Sequence, residues 1–241
     1  MFEKRIFIVK VETNGRKCSL VPMSLEIPIS NINLEHIENV SVKMVDRATG
    51  RNVPCQLFTP LDGSHKLLIS WVLLNEAQTE YEVNVKLDDN RSSSGNTGII
   101  RDGGNKELEI CFSDEHIANY IFNEAYEKPF LYPVIGPDGL CVTREVPSLG
   151  DHPHHRGIGI ALGEISDGID KPGINFWGVG SLGDPNQGRI IHQKFSSLEQ
   201  GPVFIRITEE NIWKQNDEFE NNLYPERQKI RNPGKILLNE T

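Results

Sequence analysis

A chain of 241 residues with 37% hydrophobic and 24% charged residues is long enough for one large or two ordinary domains, and its composition is that of a soluble globular protein. Its formal net charge of -9, with no Lys/Arg cluster, argues against a nucleic-acid partner, whose phosphates need a basic footprint. No segment approaches the apolar length of a membrane-spanning helix, so no membrane partner is expected.

Residues 1–10 carry Glu3, Lys4, Arg5 and Lys10 around a short apolar run, without the apolar region and small-residue cleavage site of a signal peptide. The sequence as given therefore reads as cytoplasmic, or as periplasmic if a signal had been trimmed. Cys18, Cys55, Cys111 and Cys141 are widely spaced, fit no metal or redox motif, and read as buried small apolar residues.

From residue 5 to 87 the chain is a series of short β-like runs. Residues 6–11, 40–45, 53–58, 66–73 and 81–87 are rich in β-branched residues and separated by turn formers. Asn14-Gly15 is a hairpin signal, and Leu61-Asp62-Gly63 punctuates a later pair. The alternation of Tyr81, Val83, Val85 and Leu87 with polar neighbours is that of a half-buried antiparallel strand, and Trp71, inside a strand, reads as core. The spacing predicts an immunoglobulin-like sandwich over residues 1–88. Residues 89–98, with Arg91-Ser92-Ser93-Ser94-Gly95-Asn96, form the expected linker.

A second β domain is predicted over 99–241. Residues 108–112, 117–122 and 130–135 read as a β meander, and Gly136-Pro137-Asp138-Gly139 as a turn that pairs 130–135 with 140–146. Beyond residue 164, the stretch 168–188 is glycine-rich and carries Asn175-Phe176-Trp177-Gly178. Strands are expected at 189–193, 203–207, 212–215 and 226–230, and the final apolar run 236–241 stops without a capping turn. A strand that ends so is expected to continue, so the second domain reads as incomplete at its C-terminus. Long amphipathic helices are absent. The fold class expected is all-β, an immunoglobulin-like sandwich followed by part of a larger antiparallel β-sandwich.

Between these elements lies Asp151-His152-Pro153-His154-His155-Arg156-Gly157, which holds three of the seven histidines. Imidazole titrates near neutral pH and ligates metals, so the cluster points to proton transfer, metal binding or anion recognition, or to plain surface hydrogen bonding. Arg156, Ile158, Ile160 and Leu162 then alternate with Gly157, Gly159, Ala161 and Gly163, as in a strand with one bulky and one bare face. Three glycines on one face predict that a ligand or another backbone comes very close there. The Phe176-Trp177 pair beside such a cluster suggests a sugar site, with an aromatic face stacked on C–H groups; the same pair is also compatible with core.

The chain resembles the PmoA-like family of uncharacterised bacterial proteins, whose members often carry the label methane oxygenase PmoA. The resemblance covers about residues 100–241. It rests on Lys128-Pro129-Phe130-Leu131-Tyr132-Pro133-Val134, the 136–139 turn, Gly150-Asp151-His152-Pro153-His154-His155-Arg156-Gly157, Asn175-Phe176-Trp177 and Gly188-Arg189-Ile190-Ile191-His192-Gln193. It implies a large two-sheet supersandwich like that of galactose mutarotase domains, and a setting in bacterial carbohydrate use. The oxygenase label does not follow, because particulate methane monooxygenase is an integral membrane enzyme and this chain has no apolar span.

Three functions are expected to compete. The first is a carbohydrate-active hydrolase, lyase or epimerase acting on a small-molecule or oligosaccharide ligand. His154 and His155 would be its acid/base groups, Asp151 would orient one ring and His192 would be a remote member; Arg156, His152, Phe176, Trp177 and Arg189 would bind substrate. The second is a carbohydrate-binding module without chemistry. In the third, His152, His154, His155 or His192 holds a divalent metal, the one cofactor the residue types suggest, though no closed ligand spacing is present.

Overall fold

A computed structural model describes residues 5–13, 20–27, 40–61, 64, 66–73, 79–87, 98–144, 154–166, 173–178, 186–215 and 235–239. Among them every regular element is a strand, and the fold class is all-β. No helix among the described residues is long and apolar enough to cross a membrane, which says nothing of a β-barrel. The chain divides into two compact units, Met1–Gly98 with Gln200–Phe204, and Ile99–Glu199 with Ile205–Thr241.

The first unit is a β-sandwich. Its strands are β1 (Arg5–Val11), β2 (Val21–Glu26), β3 (Val40–Asp46), β4 (Asn52–Val53), β5 (Cys55–Phe58), β6 (Leu68–Leu73) and β7 (Thr79–Leu87). They form one sheet of order β1-β7-β3-β4 and another of order β2-β6-β5. Alternation puts Tyr81, Val83 and Val85 of β7 and Ile69, Trp71 and Leu73 of β6 into one core, closed by Val40, Met44 and Leu57. Trp71 is core, as its place in a strand implied: it is 1% exposed and meets Tyr81 edge to face at 6.0 Å. Burial of such a side chain is worth about 3–5 kcal/mol.

The sandwich has its own strand order. β1 lies beside β7, whereas the first strand of an immunoglobulin domain lies beside its second. β2 was not anticipated, because Pro22 interrupts its pattern; it is an edge strand of the described sheet, where proline is tolerated. The Asn14-Gly15 and Asp62-Gly63 turns and residues 89–97 of the expected linker lie outside the described residues, and its last residue, Gly98, opens the next strand. The segment 200–204 also belongs to this unit. Gln56 Oε1 accepts from the amides of Val203 (3.3 Å) and Phe204 (3.1 Å), and Phe204 meets Phe58 edge to face at 5.4 Å.

The second unit contains the meander β11-β10-β9-β8, built from β8 (Gly98–Gly104), β9 (Glu107–Phe112), β10 (Glu115–Ile121) and β11 (Phe130–Val134). Ser113 and Asp114, at φ of 52° and 65°, make the two-residue turn between β9 and β10, so the stretch near Asp114 is a hairpin and not a helical turn. The 136–139 turn is present, with Gly139 at φ 78° and its amide on the Gly136 carbonyl at 2.9 Å. Val142 then returns to Val134; residues 145–150 lie outside the described set.

A two-stranded pair, β12 (Glu164–Ile165) and β13 (Ile174–Asn175), and a sheet β14-β15-β16 complete the unit. β14 (Gly188–Glu199) and β15 (Arg206–Gln215) form a long hairpin, and β16 (Lys235–Asn239) adds to β15. Where sequence suggested separate strands at 203–207 and 212–215, β15 runs unbroken from Arg206. The polar residues between those runs are part of the ladder. The expected strand 226–230 lies outside the described residues.

The stretch 156–163 is not the strand its alternation suggests. It makes one isolated bridge, Ile158 with Leu131, with N–H donors in both directions at 2.7 and 3.0 Å. The bare face is nonetheless explained. A Cβ on Gly157 would lie 2.0 Å from the Leu131 carbonyl oxygen, and one on Gly159 would lie 3.0 Å from that of Pro129. The partner that the glycines admit is the backbone around β11.

Candidate functional site

The described half of the histidine cluster converges with the aromatic loop. The rings of His154 and His155 lie 4.4 Å apart, edge to face, and the Trp177 indole stands 6.4 Å from the first and 5.9 Å from the second. Trp177 is 51% exposed. Its presentation is built locally. Asn175 Oδ1 accepts from the amides of Trp177 and Gly178, both at 2.9 Å, an Asx turn that reverses the chain. Phe176, between them, points the other way into the core with Ile190 and Trp213, its ring against the Cα of Gly188. One residue anchors the loop and the next is held out of it.

Three of the residues expected to bind substrate are engaged with the protein itself. Phe176 is 3% exposed and anchors the loop in the core. Arg189 is engaged with the protein's own backbone: its guanidinium donates to the carbonyls of Glu124 and, at 3.1 Å, Tyr126, closing the loop ahead of β11. Arg156 is tied by an ion pair to Glu127, and its guanidinium carbon stands 5.4 Å over the Tyr126 ring. The carboxylate it recognises is internal.

The cation left beside the indole is Lys128, which sequence reasoning did not single out. Its Nζ lies 5.7 Å from the Trp177 ring centroid and donates to the Trp177 carbonyl at 3.4 Å. Burial holds the Lys128 ammonium's pKa below its usual value; Glu127 opposes that shift and Arg156 adds to it. The signal was present in the sequence as Glu127-Lys128-Pro129 ahead of β11, but alone it marks nothing.

His192 keeps different company. Its Nδ1 hydrogen-bonds Glu209 Oε2 at 2.8 Å, and its ring packs on Phe122 (4.6 Å) and Phe195 (4.3 Å). Residues three apart on a regular strand face opposite sides. The bulge in β14 between His192 and Lys194 shifts that parity, so that His192 and Phe195 stand opposite Asn211 and Glu209 and their rings fall on one face. Glu209 also accepts from the Tyr120 hydroxyl and, at 2.7 Å, from Asn211 Nδ2. Glu209, Asn211 and Trp213 occupy alternate positions on the buried face of β15. Expected as a remote member of the histidine site, His192 makes its described contacts with this buried network instead.

Asp151, His152 and Pro153 lie outside the described residues. Among the described residues no group of three His, Cys, Asp or Glu side chains is placed to hold a metal ion, so His154, His155 and His192 do not form one. His154 and His155 are adjacent imidazoles, and His192 is engaged with Glu209.

Residues 107–233 match the model of a family of unknown function, DUF6807. The chain belongs to that family. The match spans β9 to β11 of the meander, the His154–Trp177 cluster and the β14–β15 hairpin alike. No curated protein matches the chain, and no solved structure does.

Proposed function

We propose that this DUF6807 chain acts on a carbohydrate at the surface formed by His154, His155, Trp177 and Lys128. The observation that carries the reading is the meeting of two imidazoles with a half-exposed indole. An indole held out of the core offers an apolar face to the C–H groups of a sugar ring. Two neighbouring imidazoles can divide acid and base work near neutral pH: one takes a proton from a hydroxyl or an activated carbon while the other, protonated, gives one to the leaving oxygen. Such positioning contributes about 10²- to 10⁴-fold each. The reaction class is that of a sugar hydrolase, lyase or epimerase. The likeness of the Asp-His-Pro-His-His-Arg-Gly string to PmoA-like proteins supports a carbohydrate setting and lends nothing to oxygenase chemistry.

A carbohydrate-binding module is the second reading, favoured by the exposure of Trp177, which leaves the cluster open to water. Incubating the protein with a panel of neutral and acidic oligosaccharides and following products by mass spectrometry separates the two. Turnover that disappears in the His154→Ala, His155→Ala double variant supports the enzyme. Binding that needs Trp177 without any turnover supports the module, and neither binding nor turnover ends the carbohydrate reading. A divalent metal ranks third, because among the described residues no third ligand joins the two imidazoles.

A further inference from the structure

Resting on that reading and narrowing it, we propose that Lys128 makes the site selective for an anionic sugar, a uronate whose carboxylate takes the ammonium that the described protein leaves without a counter-ion. The cation expected to do this, Arg156, is committed to Glu127. Arg189 is committed to the carbonyls of Glu124 and Tyr126. Lys128 is different: its polar partner is the neutral Trp177 carbonyl at 3.4 Å, and among the described residues no carboxylate pairs with it. Glu127, its neighbour in the chain, is already neutralised by Arg156. The three side chains together therefore carry one net positive charge, and it sits at Nζ of Lys128.

A half-buried ammonium facing a carbonyl and an indole has lost part of its hydration without gaining an opposite charge. The downward pull of burial on the Lys128 pKa is the same imbalance. An incoming carboxylate restores the balance through a charge-assisted hydrogen bond, which a hydroxyl cannot match. Because Nζ lies 5.7 Å from the centroid of the Trp177 ring, a sugar resting on the exposed part of that indole places a ring substituent within reach of the ammonium. A carboxylate at the substituent carbon meets it; a hydroxymethyl group does not.

The test is a fluorescence titration of the whole chain at pH 7 with galacturonate and glucuronate against galactose and glucose. Trp71 and Trp213 are buried, so Trp177 is the indole among the three that a ligand can touch. The expected result is at least tenfold tighter binding of the acids than of the neutral sugars, about 1.4 kcal/mol. In K128M the ratio falls to about one, while K128R keeps a preference for the acids. Added salt narrows the ratio in the unmodified protein. Equal affinity for acids and neutral sugars, or a preference that survives in K128M, overturns the assignment and leaves the carbohydrate reading standing. No binding of either kind overturns both. If K128M misfolds by circular dichroism, K128Q replaces it with the same expectation, and the ratio in the unmodified protein decides by itself.

Discussion

The Cα of Gly157 is pressed against the Leu131 carbonyl so closely that a methyl group has no place: a Cβ would stand 2.0 Å from the oxygen. Gly157 also sits at φ 49°, where side chains other than glycine are strained. Gly157→Ala is expected to destabilise the protein by at least about 3 kcal/mol, since backbone must move to relieve the clash. Gly163→Ala is the control, because nothing lies within 4 Å of its Cβ position and its φ is not positive. Urea unfolding of both variants checks the pair, and similar midpoints for the two would contradict the described packing.

Asn175 sets Trp177 in place through one oxygen that accepts two amides. Asn175→Ala is expected to leave the folded state in being, at a cost of about 1–2 kcal/mol, while lowering sugar affinity by roughly tenfold as the indole loses its fixed position. Asn175→Asp keeps the acceptor and should retain most of the affinity. Titration of both variants with the best sugar found measures this; an alanine variant that binds as well as the parent would show that the turn does not position the indole.

Glu209 accepts from Tyr120, Asn211 and His192 on a buried face, so its replacement by glutamine turns one acceptor oxygen into a donor amide against existing donors. Glu209→Gln is expected to cost about 2–4 kcal/mol of stability. Tyr120→Phe removes one donor and should cost less, about 1–2 kcal/mol. Thermal unfolding checks the order.

The cysteines should separate by pH. The Thr143 hydroxyl and backbone hold the exposed Cys141 thiol below its ordinary value, whereas burial pushes Cys55 up to about 11 and raises Cys111 as well. Brief alkylation at pH 7.5 followed by mass spectrometry should therefore label Cys141 ahead of Cys55 and Cys111. For Cys55 the folded state holds its proton more tightly than the unfolded chain, so its contribution to stability is complete below about pH 9 and is lost as pH rises toward 11. Cys55→Ala should flatten that alkaline loss.

Much of the fold was legible because burial imposes a period of two: Tyr81, Val83 and Val85, or Ile69, Trp71 and Leu73, announce an inward face without help. β8 was missed because its Arg101-Asp102-Gly103-Gly104 half has neither apolar alternation nor β-branched residues. β15 was read as two pieces because Glu209 and Asn211 face inward, and a polar residue satisfied by distant partners looks like a break when only its neighbours in the chain are visible. The histidine cluster was legible as a density of imidazoles, and its junction with Trp177 as proximity in order. That Arg156 would be neutralised by Glu127, leaving Lys128 without a paired carboxylate among the described residues, depends on which side chains meet across 29 residues of chain, and no local pattern encodes it.

The excursion at Gln200–Phe204 means that the polypeptide passes between its two units three times, at 98/99, 199/200 and 204/205. A single nick in the 88–97 stretch would therefore not yield two free halves. The C-terminal piece would still thread five residues into the first sandwich, where Gln56 grips two of their amides, and the pieces should travel as one species through gel filtration until a denaturant pulls that plug. Anyone expressing the first sandwich alone, ending at Gly98, inherits a socket with nothing in it.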